Sequence, residues 1–438
     1  MPETVPETRC DVLVIGGGPA GSTAAALLAE YGHDVVLLEK ARHPRFHIGE
    51  SLLPANLPLL ERLGVADKVR AIGMEKWCAE FVSPWDGRQQ EFQFANAWDK
   101  SQPLAYQVRR SQFDEILLRR AAQLGARVVE ECRVRDVDFV ADGAQVHAEF
   151  GDGRRDTFSA TTVIDASGRD TLLGNRLGAK RRSKKHNSAA MYAHFSGAQR
   201  NTGKRAGNIT IYWFDYGWFW LIPLADGATS VGAVVWPNYL KTRNGPVQDF
   251  FLATIALCAP LAERLRGASL SSQVEATGNY SYECTRSHGS NYLLIGDAFT
   301  FIDPVFSTGV MLAMSGGKAA AEAIHVSRTE PQRARAALKQ FDRVVRHGPK
   351  QFSWFIYRVT NPAMRELFLG PRNLMRMEEA LLSLLAGDIF GRTPIWNSLR
   401  LFKGVYFLAS FFNIGRTIRS ARQRAANIRP EAEHVTSV

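Results

Sequence analysis

Gly16-Gly17-Gly18-Pro19-Ala20-Gly21 places three glycines at the spacing G-x-G-x-x-G. Residues of this kind let a backbone come close to a ligand and to itself. Gly16 permits a tight turn, Gly18 lets a pyrophosphate approach the main chain, and Gly21 lets a helix pack closely on a strand. Pro19 and Ala20 stand where that helix opens, and its first N–H groups offer a positive dipole end to phosphate. Glu39 follows Gly21 by 18 residues, where a carboxylate accepts from ribose hydroxyls. The chemistry of this set is dinucleotide binding.

The elements that must position these residues can be read from the pattern around them. Residues 10–15 form a short apolar run of the kind found in buried parallel strands. A helical pattern over 19–31 and a second apolar strand over 34–38 complete a βαβ unit. Residues 113–124 have helical spacing, and Gly125 sits at the expected stop. Strand-like runs follow at 127–129, 136–140 and 162–164. From about 188 to 236 the pattern becomes β-rich, as for a separate lobe. Residues 293–295 return to the earlier style, and the chain is mostly helix-forming from Val310 onward. The expected division is a nucleotide-binding lobe over 1–187 that resumes at 286–330. A β-rich substrate lobe is expected over 188–285, and a helical region over 331–438.

Several further segments resemble a known family. Val108-Arg109-Arg110-Ser111-Gln112-Phe113-Asp114 is similar to the V-x-R-x-x-F-D segment of FAD-dependent aromatic monooxygenases. The arginine that approaches FAD there corresponds to Arg110 and not to Arg109. Asp165-Ala166-Ser167-Gly168 and Gly296-Asp297 look like that superfamily's later signatures, in which the Asp of the Gly-Asp pair contacts the ribityl chain. Trp218-Phe219-Trp220-Leu221-Ile222-Pro223 fits W-x-W-x-I-P, which resembles the motif of flavin-dependent halogenases and is generally missing from the hydroxylases. By that resemblance Trp218, Trp220, Ile222 and Pro223 shield the flavin and do not react.

Residues 46–54 (FHIGESLLP) resemble a segment of halogenases that act on phenols and pyrroles. Residues 296–313 are similar to their second flavin segment and contain Ser307-Thr308-Gly309. The resemblance implies that N–H groups at Thr308 and Gly309 bind the halide; a nest of backbone donors attracts an anion without a side-chain cation. Lys40, Arg45, Ser51, Pro304, Gly309 and Val310 are then expected among the FAD contacts, with Pro304 supplying a rigid turn. Lys76 stands where halogenases carry an essential lysine, although the usual Lys-x-Gly is Lys76-x-Cys78 here. An ammonium there hydrogen-bonds hypohalous acid and makes its halogen more electrophilic. A deprotonated amine would instead form a haloamine, which needs a pKa lowered by burial. The glutamate that precedes Ser-Thr-Gly in tryptophan halogenases is replaced by Phe306. That difference points to the phenol/pyrrole branch, many of whose members act on substrates tethered to a carrier protein.

The fold class so implied is α/β: an FAD-binding Rossmann-like (GR2-type) lobe with an inserted mixed β-sheet substrate lobe and a helical C-terminal region. The implied function is halogenation of an electron-rich phenolic or pyrrolic substrate in natural-product or pigment biosynthesis. The chain would use FADH2 from a separate reductase, O2, and chloride or bromide. A separate reductase is expected because no second complete glycine fingerprint exists. Two alternatives stand beside this one. The first is an aromatic hydroxylase or flavin-dependent double-bond reductase on the same scaffold. The second is a flavin-fold protein that only binds a carrier protein. The resemblance spans roughly 10–320; beyond it lie aromatic-rich stretches at 352–357 and 404–412, a region that covers the substrate channel in related enzymes.

Composition narrows the remaining possibilities. The 438 residues include 54 Lys+Arg and 43 Asp+Glu, for a net charge of +11, with 45% hydrophobic and 22% charged residues. This is the mixture of a soluble globular protein. Five cysteines lie far apart without a C-x-x-C pair, which excludes a zinc knuckle and a dithiol site, so no metal is expected. Their sparse, odd number and the lack of a secretory pattern at the N-terminus point to the cytoplasm. The greasy stretch 404–414 is too short to span a bilayer. The positive excess invites nucleic acid as a partner, but no nucleic-acid motif is present. It gathers in Lys180, Arg181, Arg182, Lys184 and Lys185, and in Arg416, Arg419, Arg422, Arg424 and Arg429. Each cluster reads as a solvated face or as a dock for an acidic carrier protein. For the basic C-terminal tail, peripheral contact with an anionic membrane is a further reading.

Overall fold

The strand Thr8–Ile15 and its neighbour Val35–Leu38 are continuous apolar runs because both faces of their sheet are covered. In the computed structural model, which describes residues 8–183, 186–278, 281–391, 393–415, 417–419 and 422, these strands lie at the centre of the first of two compact units. That unit comprises Met1–Gly73, Val108–Arg182 and Tyr282–Gln351. Its sheet runs Arg127–Val129, Val35–Leu38, Thr8–Ile15, Arg155–Asp165, all parallel. Arg155–Asp165 is 11 residues long and pairs twice on its far edge. Its first half runs antiparallel to Gly143–Phe150, which in turn pairs with Cys132–Val140. Its last three residues pair in parallel with Tyr292–Leu294. Ile15, Leu38, Asp165 and Leu294 thus end side by side, at the carboxyl edge where open α/β sheets bind ligands. Helix Pro19–Glu30 packs on helix Gly309–Thr329 at backbone distance, since a Cβ on Gly317 would lie 2.5 Å from the Ala20 carbonyl oxygen.

The second unit comprises Met74–Gln107, Ser183–Ser281 and Phe352–Val438. Its sheet runs Ser269–Leu270, Ala189–Ser196, Thr229–Val235, Gly217–Pro223, Ile209–Phe214, Cys78–Val82, Gln89–Gln93, with Glu275–Thr277 also paired to Ala189–Ser196. All pairs are antiparallel except Ile209–Phe214 with Cys78–Val82. Phe219, Leu221, Val231 and Ala233 pack one face against helices Val247–Ala256 and Ala259–Arg264 through Phe251, Ile255 and Leu261. On the other face Phe81 and Phe92 meet Phe368 of helix Pro362–Leu369 edge to face. A separate ribbon pairs Met74–Lys76 with Ala105–Gln107.

The division by contact differs from the expected one in two places. Residues 74–107 leave the first lobe because Cys78–Val82 finds its ladder partners in Ile209–Phe214 and Gln89–Gln93. The helical region does not stand alone: the boundary falls at 351/352, inside helix Ala334–Ile356. Among the described residues no helix is long and apolar enough to cross a membrane, and no cluster of His, Cys, Asp and Glu has the make-up of a metal site. All five cysteines are buried and free.

Candidate active site

The glycine turn is built by contacts within a few residues. Gly16 takes φ +102° and donates to the Leu38 carbonyl at 2.8 Å. A Cβ on Gly21 would lie 2.0 Å from the Gly16 carbonyl oxygen, so no side chain fits between the turn and its helix. Gly18 is different. It caps the helix, no side chain supplies a capping hydrogen bond, and a Cβ there would come no nearer than 3.7 Å to Arg45 Nη2. The backbone is therefore closed at Gly16 and Gly21 and open at Gly18, Pro19 and Ala20, as a pyrophosphate requires.

Buried charges brace this turn. Glu39 accepts from Gly17 N at 2.6 Å and from Ala41 N at 2.9 Å, with Arg45 Nε 3.9 Å away. Asp114 is fully buried and accepts from Arg110 Nε at 2.8 Å and Arg45 Nη1 at 3.0 Å. Burial alone would raise its carboxyl, but Arg110 and Arg45 overcome that and hold it below the ordinary value. Arg110 also donates to the Ile48 carbonyl at 2.9 Å, which ties the segment before buried Ser51 to helix Arg110–Gln123. Lys40 pairs with Asp170 at 2.5 Å on the surface. Asp165 has a role the sequence did not suggest: its oxygens accept from Ser167 N at 2.9 Å and Leu173 N at 2.7 Å. It shapes the loop against which Gly16 packs, and burial raises its pKa.

Asp297 sits on the turn Gly296–Ala298; its backbone carbonyl accepts from the Tyr282 hydroxyl at 2.8 Å, while its carboxyl accepts no hydrogen bond from any described residue. Desolvation pushes its carboxyl up to about 6, against the pull of Arg110 and Arg169. A half-buried acid kept short of donors has the chemistry to take a hydroxyl from a ligand. Farther along, Asp303 caps the turn Pro304–Phe306 through Val305 N at 3.3 Å. Ser307 then takes φ +57°, and the 21-residue helix Gly309–Thr329 begins. The Thr308 hydroxyl is buried without a hydrogen-bond partner among the described residues. A Cβ on Gly309 would meet nothing within 4 Å, so the helix N-terminus opens into space, with Val310 buried behind it. Free N–H groups, an open approach and an orphaned hydroxyl suit an anion or the edge of a polar ring. The closed and open glycines, the donor-poor Asp297 and the orphaned Thr308 together fit a flavin dinucleotide.

In the second unit Lys76 is 1% exposed, with Nζ 5.1 Å from the centre of the Phe94 ring. Desolvation lowers its pKa to about 7. The segment after it is clamped. Asn208 Oδ1 accepts from Trp77 N at 3.2 Å and Cys78 N at 3.1 Å, while its Nδ2 donates to buried Glu80 at 2.9 Å. Asn201 and Thr210 also donate to Glu80, each at 3.1 Å. Gln107, on the same face of the ribbon as Lys76, donates to the Gly207 carbonyl at 3.0 Å and has a buried Oε1 without a partner. Asn208→Ala removes the shared acceptor. It is expected to cost about 1–3 kcal/mol of stability and to lower turnover about tenfold with cofactor content unchanged. Turnover at saturating FAD, measured with thermal unfolding, checks this; parental turnover in a destabilised variant would leave Asn208 a structural residue only.

Gly217–Pro223 alternates as a strand must: Phe219 and Leu221 face the helices, and Trp218, Trp220 and Ile222 face the other way, with Pro223 ending the strand. Trp220 Nε1 donates to Ser230 Oγ at 3.2 Å, and its ring lies flat on Gly232, where a Cβ would be 2.1 Å from it. The indoles of Trp218 and Trp220, 5.9 Å apart, form an indole wall. In the first basic cluster Lys180 donates to Thr171 Oγ1 at 2.7 Å, while Lys184 and Lys185 lie outside the described residues. In the second, Arg419 and Arg422 are exposed, and Arg416, Arg424 and Arg429 lie outside the described residues. The sequence reading passed over Asn208, Glu80 and Gln107. A lone carboxylate inside the apolar run 78–82 was the available signal.

Three comparisons bear on identity. A family model described as an FAD binding domain matches residues 9–338. The chain is 30% identical over 404 residues to the 1H-pyrrole-2-carbonyl-[peptidyl-carrier protein] chlorinase of Pseudomonas fluorescens, covering 87% of this chain and 89% of that one. The solved structure of the myxobacterial chondrochloren halogenase CndH matches with a TM-score of 0.77 and 32% identity over 92% of this chain and 97% of that one. A flavoprotein/dehydrogenase of Cytophaga hutchinsonii matches with a TM-score of 0.83 and 27% identity over 93% and 99%. The fingerprint turn, the open helix at Gly309 and these likenesses agree: the chain belongs to the FAD-binding domain family and, within it, to the flavin-dependent halogenases.

Proposed function

We propose that this halogenase takes FADH2 from a separate reductase, O2, and chloride or bromide. Its substrate is an electron-rich pyrrolic or phenolic ring tethered to a carrier protein, in the biosynthesis of a natural product or pigment. The observation that carries the reading is Lys76, a fully buried amine held near neutrality. A folded chain keeps a buried lysine at such cost where the amine has a task. The substrate class rests on the P. fluorescens chlorinase, whose name specifies a pyrrole on a peptidyl carrier protein, and on Phe306 standing where a carboxylate would assist a less reactive ring.

When bound, the flavin supplies the O2 chemistry that oxidises halide to hypohalous acid. The chain's own residues do the rest. The first turn after Gly18 holds phosphate, Asp297 accepts from the ribityl chain, and the N–H groups at Thr308 and Gly309 hold the anion. Lys76 directs the halogen at the ring as a hydrogen-bond donor in its ammonium form or as a haloamine from its neutral form; both forms are populated around pH 7. Purified protein supplied with a flavin reductase, halide and a pyrrolyl- or hydroxyphenyl-loaded carrier protein should give product with the isotope pattern of chlorine or bromine. Lys76→Ala should retain FAD and O2 consumption and give none. Hydroxylated product from both proteins would sink the reading in favour of a hydroxylase, and halogenation of the free acid alone would remove the carrier.

A further inference from the structure

The last long helix, Trp396–Phe412, buries Leu399, Phe402 and Tyr406 at spacings of three and four, the usual inward stripe. Beyond Tyr406 none of its residues is buried. Phe407, Leu408, Phe411 and Phe412 are 56, 62, 69 and 82% exposed, and Ile414 and Ile418 follow at 55 and 44%. Single exposed apolar side chains are ordinary, but six large ones within twelve residues make a patch that soluble surfaces rarely keep uncovered.

The charge around this patch identifies what covers it. From 389 to 430 the sequence holds eight Lys or Arg and no Asp or Glu, so most of the chain's net +11 is concentrated in this stretch. Arg400, Arg419 and Arg422 are exposed among the described residues. A second copy of this chain seated on the same face would set that positive charge against itself. An acidic protein would satisfy the arginines without needing four projecting Phe and Leu side chains. An anionic lipid surface satisfies both: apolar rings enter the acyl boundary while guanidinium groups meet phosphate. The helix has 17 residues and carries cations, so it lies on a bilayer and does not cross it.

We propose that the face from Phe407 to Ile418 docks the enzyme peripherally on an anionic membrane surface. The basis is independent of the ring the enzyme modifies. FAD-loaded full chain is mixed with vesicles of phosphatidylcholine, alone or with phosphatidylglycerol, and sedimented. The expected result is association with the mixed vesicles only and release by raised salt. The double variants Phe411→Ser/Phe412→Ser and Arg419→Glu/Arg422→Glu are each expected to lower the bound fraction about tenfold, with FAD content and unfolding temperature kept, since the altered side chains are exposed. The proposal is overturned if the parent fails to bind mixed vesicles or if the variants bind as the parent does. It is also overturned if the parent is a dimer that the phenylalanine variant converts to monomer, which would make the face a self-association surface. Displacement of vesicle-bound enzyme by a carrier protein at low salt would likewise assign the face to that partner.

Discussion

Lys76→Met is expected to give a protein that unfolds at a higher temperature than the parent and has lost nearly all halogenation. Methionine matches the volume of the lysine stem and leaves no amine in a site that is 1% exposed. The stability gain follows from protonation. Burial lowers the lysine from 10.5 to about 7, so the unfolded chain binds a proton more readily than the folded one. Below pH 7 both states are protonated and the folded state carries the whole cost of the buried charge, of the order of 5 kcal/mol. As pH rises from about 7 to 10.5 the folded state has released its proton and the unfolded state has not, so parental stability climbs and the gap to the variant closes. Unfolding of both proteins at acid, neutral and alkaline pH reads this directly. A variant less stable than the parent at neutral pH, or a gap that does not narrow with pH, would count against a strained amine. The activity loss should be about 10²–10⁴-fold, the range for removing a positioned proton-handling group. A residue that weakens the fold and is retained where chemistry needs it is the expected trade between stability and activity.

What the sequence made legible follows the range of the contacts involved. The glycine turn could be read because its decisive approach, Gly21 against the Gly16 carbonyl, closes within six residues. The alternation of Gly217–Pro223 was equally local, although the flat seat of Trp220 on Gly232 depends on a neighbouring strand. Residues 74–107 were grouped with the first lobe because the partner strand of Cys78–Val82 lies about 130 residues away and a parallel pairing leaves no turn to mark it. The clamp on Lys76 was invisible for the same reason: Asn208 and Glu80 are 128 positions apart. That Ser167 N and Leu173 N donate to Asp165 was not legible, because signature matching reports where an acid stands and not which backbone groups use its oxygens. The charge of +11 and its gathering into a basic tail were legible, but the exposure of Phe407, Phe411 and Phe412 beside that tail was not, because an aromatic-rich helical stretch does not say which of its rings are covered.

Gly21→Ala and Gly18→Ala should separate two tasks of one turn. At Gly21 a methyl would lie 2.0 Å from the Gly16 carbonyl oxygen, with Val14 and Ala166 side-chain carbons at 3.1 and 3.2 Å. These neighbours belong to the central strand and its adjoining loop, so the helix itself has to move. On its other side that helix is held by the backbone approach of Gly317 to Ala20. Overpacking with no yielding neighbour costs about 3 kcal/mol or more. Gly21→Ala should therefore lower the unfolding temperature of the FAD-free protein and also abolish retention of FAD on gel filtration. At Gly18 the added methyl meets only Arg45 Nη2 at 3.7 Å, so the apoprotein should unfold as the parent does. Its methyl would instead stand where the pyrophosphate approaches, and FAD affinity should fall about tenfold to a hundredfold. Thermal unfolding of both apoproteins and titration with FAD provide the comparison. If Gly21→Ala purified yellow with parental stability, the close packing of helix on strand would not be what builds the cofactor site.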